Sequence, residues 1–207
     1  TLLRLRISAT WLISIFAMET ERDLPTNEHA MDANVKAGQN PEELFDVVDA
    51  QDRVVGQAPR REVHAKQLRH RAVHVLVFDE KGAVFLQKRS MGKDSCPGTW
   101  DSSCSGHLDA GEDYDAAAVR ELREEIGLEC AEKPERWLRL SASENTGMEF
   151  VWIYRMQSEG PFTLNEAEIS EGAWFAPDEI SEGIVENPDA YAGSFRYFWP
   201  RVRDELP

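Results

Sequence analysis

Three carboxylates, Glu121, Glu124 and Glu125, stand close together in the stretch GHLDAGEDYDAAAVRELREEIGL (residues 106–128). On a helix turning about 100° per residue they fall within an arc of roughly 100°. Like charges on one stripe repel, and a hard divalent cation such as Mg²⁺ or Mn²⁺ relieves that repulsion, because such ions prefer carboxylate oxygen. A run of acids is ordinarily just a solvated helix face. Taken alone the stripe reads as such a face; Glu112 precedes it, Arg120 adjoins Glu121 and Gly127 follows, and the metal reading rests on the motif these residues share with a known family, given below. Gly106 and Gly111 read as loop glycines that bring backbone carbonyls and Glu112 towards the carboxylates. Gly127 sits where a helix stops.

The elements that must position these groups are legible in part. Leu44, Phe45, Val47 and Val48 read as a strand, Asp49–Asp52 as a turn, and Val54 and Val55 as the start of a second strand. Residues 61–69 suggest a short helix or turn. His70–Phe78 and Ala83–Lys88 are β-rich runs on either side of Asp79-Glu80-Lys81-Gly82, a hairpin signal. A loop with Pro97-Gly98 leads to a helix over 114–127, with Ala117, Ala118, Leu122 and Ile126 on its buried side. Strands are expected at 136–143, 149–157 and 172–177. A helix should start at Asp178-Glu179-Ile180, and Asp189–Glu205 reads as a closing helix interrupted by Pro200. Strands mixed with few helices suggest a three-layer α/β arrangement.

The chain has 207 residues, with 38 acids against 23 Lys plus Arg, a formal charge of −15. That balance argues against a nucleic-acid or anionic-membrane partner. Residues 106–128 alone hold seven acids and two arginines, so a small polyanion would bind there only through divalent cations. Three cysteines (Cys96, Cys104 and Cys130) without metal-finger spacing fit a reducing compartment, and a cytoplasmic location is expected. Residues 1–17 place Arg4 and Arg6 before a short apolar run, the shape of a targeting segment. The simpler expectation is that the native chain starts at Met18. Residues 1–41 read as an extension that is disordered or not native, and 42–207 as the domain.

The fixed spacing over 106–128 (Gly, Glu112, Arg120-Glu121-Leu122, Glu124-Glu125, Gly127-Leu128) resembles the signature of the Nudix superfamily. The resemblance implies an α/β/α sandwich with a mixed sheet and a catalytic loop–helix–loop. It also implies Mg²⁺-dependent cleavage, Mn²⁺ being an alternative, of a diphosphate linked to some group X, such as a nucleoside diphosphate derivative. Glu121, Glu124, Glu125 and Glu112 would then hold metal, Glu121 and Glu125 foremost, and Arg120 would fix a glutamate by ion pairing. The general base is left open, with Glu149 as one candidate. A homodimer is compatible with the family.

Residues 44–60, 64–89 and 95–107 are similar to the branch that includes isopentenyl-diphosphate isomerase, whose metal site uses three histidines and two acids. His64, His70 and His107 occupy the histidine positions and suggest a second metal or phosphate site. The isomerase cysteine position holds Ser105, with Cys104 one place early, and its acid motif is altered to Glu144-Asn145-Thr146-Gly147-Met148-Glu149. A hydroxyl cannot readily replace a thiol in acid–base work, so hydrolysis is favoured over isomerisation. A nucleotide-binding module without catalysis is a further alternative. His74, on the same side of its strand as His70, reads as an ordinary hydrogen-bonded histidine, and Cys104 as a small buried residue. Lys88, Arg89 and Lys93 are candidates to meet phosphates, while Trp100, Trp152 and Trp174 read as core.

Overall fold

The structure, a computed structural model, describes residues 40–206. The readings made for residues 1–39 lie outside the described residues. Nine strands and four helices follow in chain order: β1 (Leu44–Val48), β2 (Val54–Pro59), α1 (Arg60–Ala65), β3 (His70–Phe78), β4 (Val84–Arg89), β5 (Trp100–Asp101), β6 (Cys104–His107), α2 (Tyr114–Ile126), β7 (Glu135–Leu140), β8 (Glu149–Gln157), β9 (Ile169–Phe175), α3 (Pro177–Glu186) and α4 (Gly193–Glu205).

The main sheet runs β5-β4-β3-β8-β7, with β6 also paired to β3 and β9 to β4. It is mixed, because β3 and β8 are parallel while the other pairings are antiparallel. β1 and β2 form a separate antiparallel pair. Side chains alternate across a strand, and β3 divides its residues accordingly. Val73, Val75 and Val77 pack with Ala117, Ala118, Leu122 and Ile126 of α2. Ala72 and Leu76 face the other layer, with Ile180 of α3 and Phe195, Phe198, Trp199 and Val202 of α4. The result is the α/β/α sandwich expected from the sequence.

α2 begins where the Asp113 side chain accepts from the amides of Asp115 (2.9 Å) and Ala116 (3.1 Å), an N-cap worth about 1 kcal/mol. It ends at Gly127 in the left-handed region (φ 65°), with Leu128 N–H donating to the Leu122 carbonyl at 3.0 Å.

Four sequence readings need correction. β5 and β6 were not anticipated; they are short and depend on pairing with distant strands. Gly106, expected in a loop, lies in β6. β9 starts at Ile169, earlier than 172, because its pairing with β4 continues across a bulge to Ile169 opposite Arg89. α4 starts at Gly193, after a single turn of 3₁₀ helix at Pro188–Ala190, and continues through Pro200. Pro200 removes one backbone donor, but the packing of Phe198, Trp199 and Val202 against the sheet holds the helix on both sides of it.

Candidate active site

Strand β6 carries the geometry. Cys104 faces α2 and is fully buried; Gly106, two residues on, faces the same way. A Cβ at Gly106 would collide with the carboxylate of Glu121, so the glycine makes room for that carboxylate at the sheet. The next turn of α2 places Glu125 beside the strand. Its Oε2 accepts from the Ser105 amide and from Gln87 Nε2, both at 2.9 Å. Glu121 and Glu125 are both buried, while Glu124 lies half exposed.

Arg120 ties the acids together. Its guanidinium donates to Glu112 Oε1 (3.0 Å) and Oε2 (2.8 Å), to Glu121 Oε1 (2.6 Å), to Glu124 Oε2 (3.3 Å) and to the His107 carbonyl (2.9 Å). Its rigid fork of donors suits several acceptors at once. The expected pairing of Arg120 with a glutamate therefore extends to three of them.

The two buried carboxylates lack full compensation. Burial and the neighbouring Glu125 push the Glu121 carboxyl up to about 8. Burial raises Glu125 as well, against the opposing pull of Lys93, 3.8 Å away. Lys93 also pairs with Glu168, and burial lowers its own pKa. Such a pair costs free energy unless it takes up a proton or a cation. An all-oxygen set fits a hard divalent ion.

A second cluster lies at the neighbouring end of the sheet. The parallel register sets His70 beside Glu149, and the antiparallel one sets Ala72 opposite His107. One ring nitrogen from each of His64, His70 and His107 lies within 4.8 Å of the others. Phe45 of β1 stacks on His107 and His70, with centroids 4.8 and 5.8 Å away. Glu149 Oε1 stands 3.0 Å from His107 Nε2 and 3.5 Å from His70 Nε2. His70 Nδ1 meets the Leu68 carbonyl at 2.9 Å and must donate to it. Its buried Nε2, 3.5 Å from Glu149 Oε1, has no partner at hydrogen-bond geometry.

Burial holds His64 below its ordinary pKa and brings His107 down to about 3, so both are neutral and able to ligate a metal. Burial alone would raise Glu149, but the hydrogen bond from His107, with the His70 ring close by, holds its carboxyl well below the usual range. A carboxylate so stabilised is a poor proton acceptor, which weakens its candidacy as the general base.

Glu121, Glu124 and Glu125 of the first cluster and His107 and Glu149 of the second line one cleft of about 680 Å³, which His64 and His70 do not line. Arg89, Lys93, Arg60 and Arg123 supply its positive charge. Lys88 does not reach it; it pairs with Glu171 and lies over the Trp100 ring. None of Trp100, Trp152 and Trp174 lines the cleft, and Trp174 is exposed. Sequence reasoning missed Gln87, Arg60 and Glu168. Only Gln87 carried a signal, as a polar residue directly after the apolar strand run Val84–Leu86.

Comparison with known proteins gives four points of similarity. The family model described as NUDIX domain matches residues 68–196. An uncharacterized Nudix hydrolase of Yersinia pestis is 36% identical over 158 residues, 73% of this chain and 85% of the relative. An isopentenyl-diphosphate Delta-isomerase of Photorhabdus laumondii is 34% identical over 160 residues, 75% of this chain and 89% of the relative. Among solved structures, DR0079 from Deinococcus radiodurans superposes with a TM-score of 0.70 at 28% identity, covering 77% of this chain and 98% of that one. Among the described residues, no helix is long and apolar enough to cross a membrane.

Proposed function

The chain belongs to the Nudix family and is a Nudix-type pyrophosphohydrolase, and from that premise we propose that it cleaves a nucleoside diphosphate-X, or a related small diphosphate, with Mg²⁺ or Mn²⁺. The observation that carries the reading is the pair of buried, undercompensated carboxylates, Glu121 and Glu125, set against Gly106 in an open cleft. Glu121, Glu125, Glu124 and Glu112 are the residues that would hold the ion. A divalent ion there supplies neutralisation of the diphosphate and acidifies a water.

The rest follows from the chain's own groups. Arg120 fixes Glu112, Glu121 and Glu124 in one array, so no reorganisation is needed when substrate arrives. Arg89, Lys93 and Arg123 meet phosphate oxygens by charge-assisted hydrogen bonds. Glu124, the exposed member of the array, is placed to take the proton from an attacking water as the new phosphorus–oxygen bond forms and the bridging one breaks. His64, His70 and His107 with Glu149 form a second centre. Its nitrogen donors suit a transition metal such as Mn²⁺ better than Mg²⁺, and the unpartnered His70 Nε2 supports that assignment.

Isomerisation is the alternative that the histidine cluster invites. It would need a thiol at position 105 of β6; Cys96, which lines the cleft, lies in the loop between β4 and β5. Cys104 is fully buried, and burial raises its pKa well above the ordinary thiol value; Ser105 lines the cleft in its stead.

A panel of nucleoside diphosphate sugars, dinucleoside polyphosphates, nucleoside triphosphates and isopentenyl diphosphate tests the reading. With Mg²⁺ or Mn²⁺, at least one member should release phosphate-containing product about 10² times faster than in EDTA. Isopentenyl diphosphate should show no deuterium uptake by proton NMR. Folded protein that turns over no member would overturn the reading.

A further inference from the structure

The two oxygens of Glu125 face different partners. Oε2 accepts from the Ser105 amide and from Gln87 Nε2, both at 2.9 Å. Ser105 belongs to β6, and Gln87 is fully buried in β4, so two strands fix that oxygen against the sheet. Oε1 is the oxygen left to meet a cation. Among the described residues, the cation beside it is the ammonium of Lys93, 3.8 Å away.

Lys93 has little freedom to stand elsewhere. Its side chain is 8% exposed, and an ammonium so deeply buried needs carboxylate partners. It has two: Glu125, and Glu168, with which Nζ pairs directly. Glu168 is itself buried, immediately before β9. Its backbone is held on both sides. The N–H donates to the Asn165 carbonyl at 2.9 Å, and the carbonyl accepts from the Ser90 amide at 2.8 Å.

Ser90 Oγ also donates to the Ala167 carbonyl at 2.8 Å. These bonds already join the loop that carries Lys93 to the segment that carries Glu168. The Glu168 carboxylate is therefore not needed as a staple between them. Its charge instead draws the ammonium away from Glu125.

A divalent ion and an ammonium cannot share one oxygen at contact distance, because like charges a few ångströms apart repel. Lys93 thus competes with any ion for Oε1, and the balance depends on how firmly Glu168 holds it. We propose that Lys93 is a built-in competitor for the ion at Glu125, and that Glu168 is the positioning residue that restrains it. The inference rests on the reading that the carboxylates of α2 take up a divalent cation. It gives Glu168, which lies outside the acidic stripe, a share in setting metal affinity without touching the ion. An ammonium has three N–H donors, so Lys93 held by Glu168 keeps one for a phosphate oxygen in the cleft that all three residues line.

The test is a Mn²⁺ titration of the metal-free protein by electron paramagnetic resonance, scored on the step that Glu121→Gln weakens. Lys93→Met keeps the side-chain length and removes the charge; Glu168→Gln keeps the shape and removes the anchor. Each variant is first shown to be folded by circular dichroism. Lys93→Met should tighten the step about tenfold, and Glu168→Gln should weaken it by a similar factor.

The deciding protein is the double variant Lys93→Met/Glu168→Gln, whose net charge equals that of the wild type. It should bind about fivefold or more tighter than the wild type, because the competitor is gone and its anchor no longer matters. A ligand role for Glu168, or a purely structural one, would leave the double variant no tighter than the wild type. That result would overturn the proposal, as would wild-type affinity in Glu168→Gln or weaker binding in Lys93→Met. If Lys93→Met does not fold, Lys93→Gln replaces it, and the loss expected in Glu168→Gln stands on its own. A step that responds to Glu121→Gln but to neither Lys93→Met nor Glu168→Gln leaves the metal reading standing and sinks this proposal alone. A titration with no step that responds to Glu121→Gln sinks both.

Discussion

Glu121→Gln should lower kcat by about 10³-fold with Mg²⁺ while making the metal-free protein more stable at pH 8. The first effect follows from removing a buried carboxylate that neutralises the ion; metal-ion stabilisation of transition-state charge amounts to several kcal/mol, and each 1.4 kcal/mol is about tenfold in rate. The second follows from linkage. Burial and the neighbouring Glu125 push the Glu121 carboxyl up to about 8 in the metal-free fold, against about 4.3 for an ordinary glutamate. Between those values the folded state binds more protons than the unfolded state, so stability falls as pH rises.

Glutamine keeps an oxygen for Arg120 and has no charge to bury beside Glu125. At pH 8 in EDTA the variant should gain about 1 kcal/mol or more, seen as a rise of a few degrees in Tm. Its Tm should also depend less on pH between 5 and 8 than that of the wild type. Burial also pushes Glu43 up, to about 7. It contributes the same slope to both proteins and cancels in the difference. A variant that is less stable than wild type at pH 8 in EDTA would contradict the electrostatic account.

Arg120→Ala should have the opposite signature, a loss of both stability and turnover. Glu112, Glu121 and the His107 carbonyl would each lose a donor, and Glu121 would remain buried beside Glu125. Breaking a buried charge network by removing one partner costs about 3 kcal/mol, which urea denaturation would register as a clear fall in midpoint with little change in slope. Arg120→Lys should recover only part of the loss, because an ammonium lacks the planar fork that reaches acceptors on four residues. A change below about 0.5 kcal/mol in Arg120→Ala, the range of a surface substitution, would show that the acids organise without it.

The contrast between the two variants reflects what could be read from the sequence. Helix α2 was legible because its apolar residues recur at helical spacing and its ends carry Asp113 and Gly127, local signals that need no partner. The hairpin of β3 and β4 was legible for the same reason. β5 and β6 were not: Trp-Asp and Cys-Ser-Gly-His have no strand periodicity, and their conformation comes from pairing with β4 and β3. Because Gly106 sits in β6, its part in the site, room for a carboxylate rather than a turn, was hidden too.

The acids of the stripe and Arg120 were placed correctly as neighbours, since one helix carries them. The meeting of Glu149 with His70 depends on the parallel register of β3 and β8, which no local pattern encodes. His74 was read as an ordinary hydrogen-bonded histidine. The bond is there, to Ser102.

The most direct measurement of the central claim is a Mn²⁺ titration of the metal-free protein, followed by electron paramagnetic resonance, on wild type and Glu121→Gln. The wild type should take up an ion in a step that Glu121→Gln weakens at least tenfold, about 1.4 kcal/mol, with uptake at His64, His70 and His107 unaffected. Identical titrations of the two proteins would contradict the account, because the carboxylates of α2 would then not be what holds the ion.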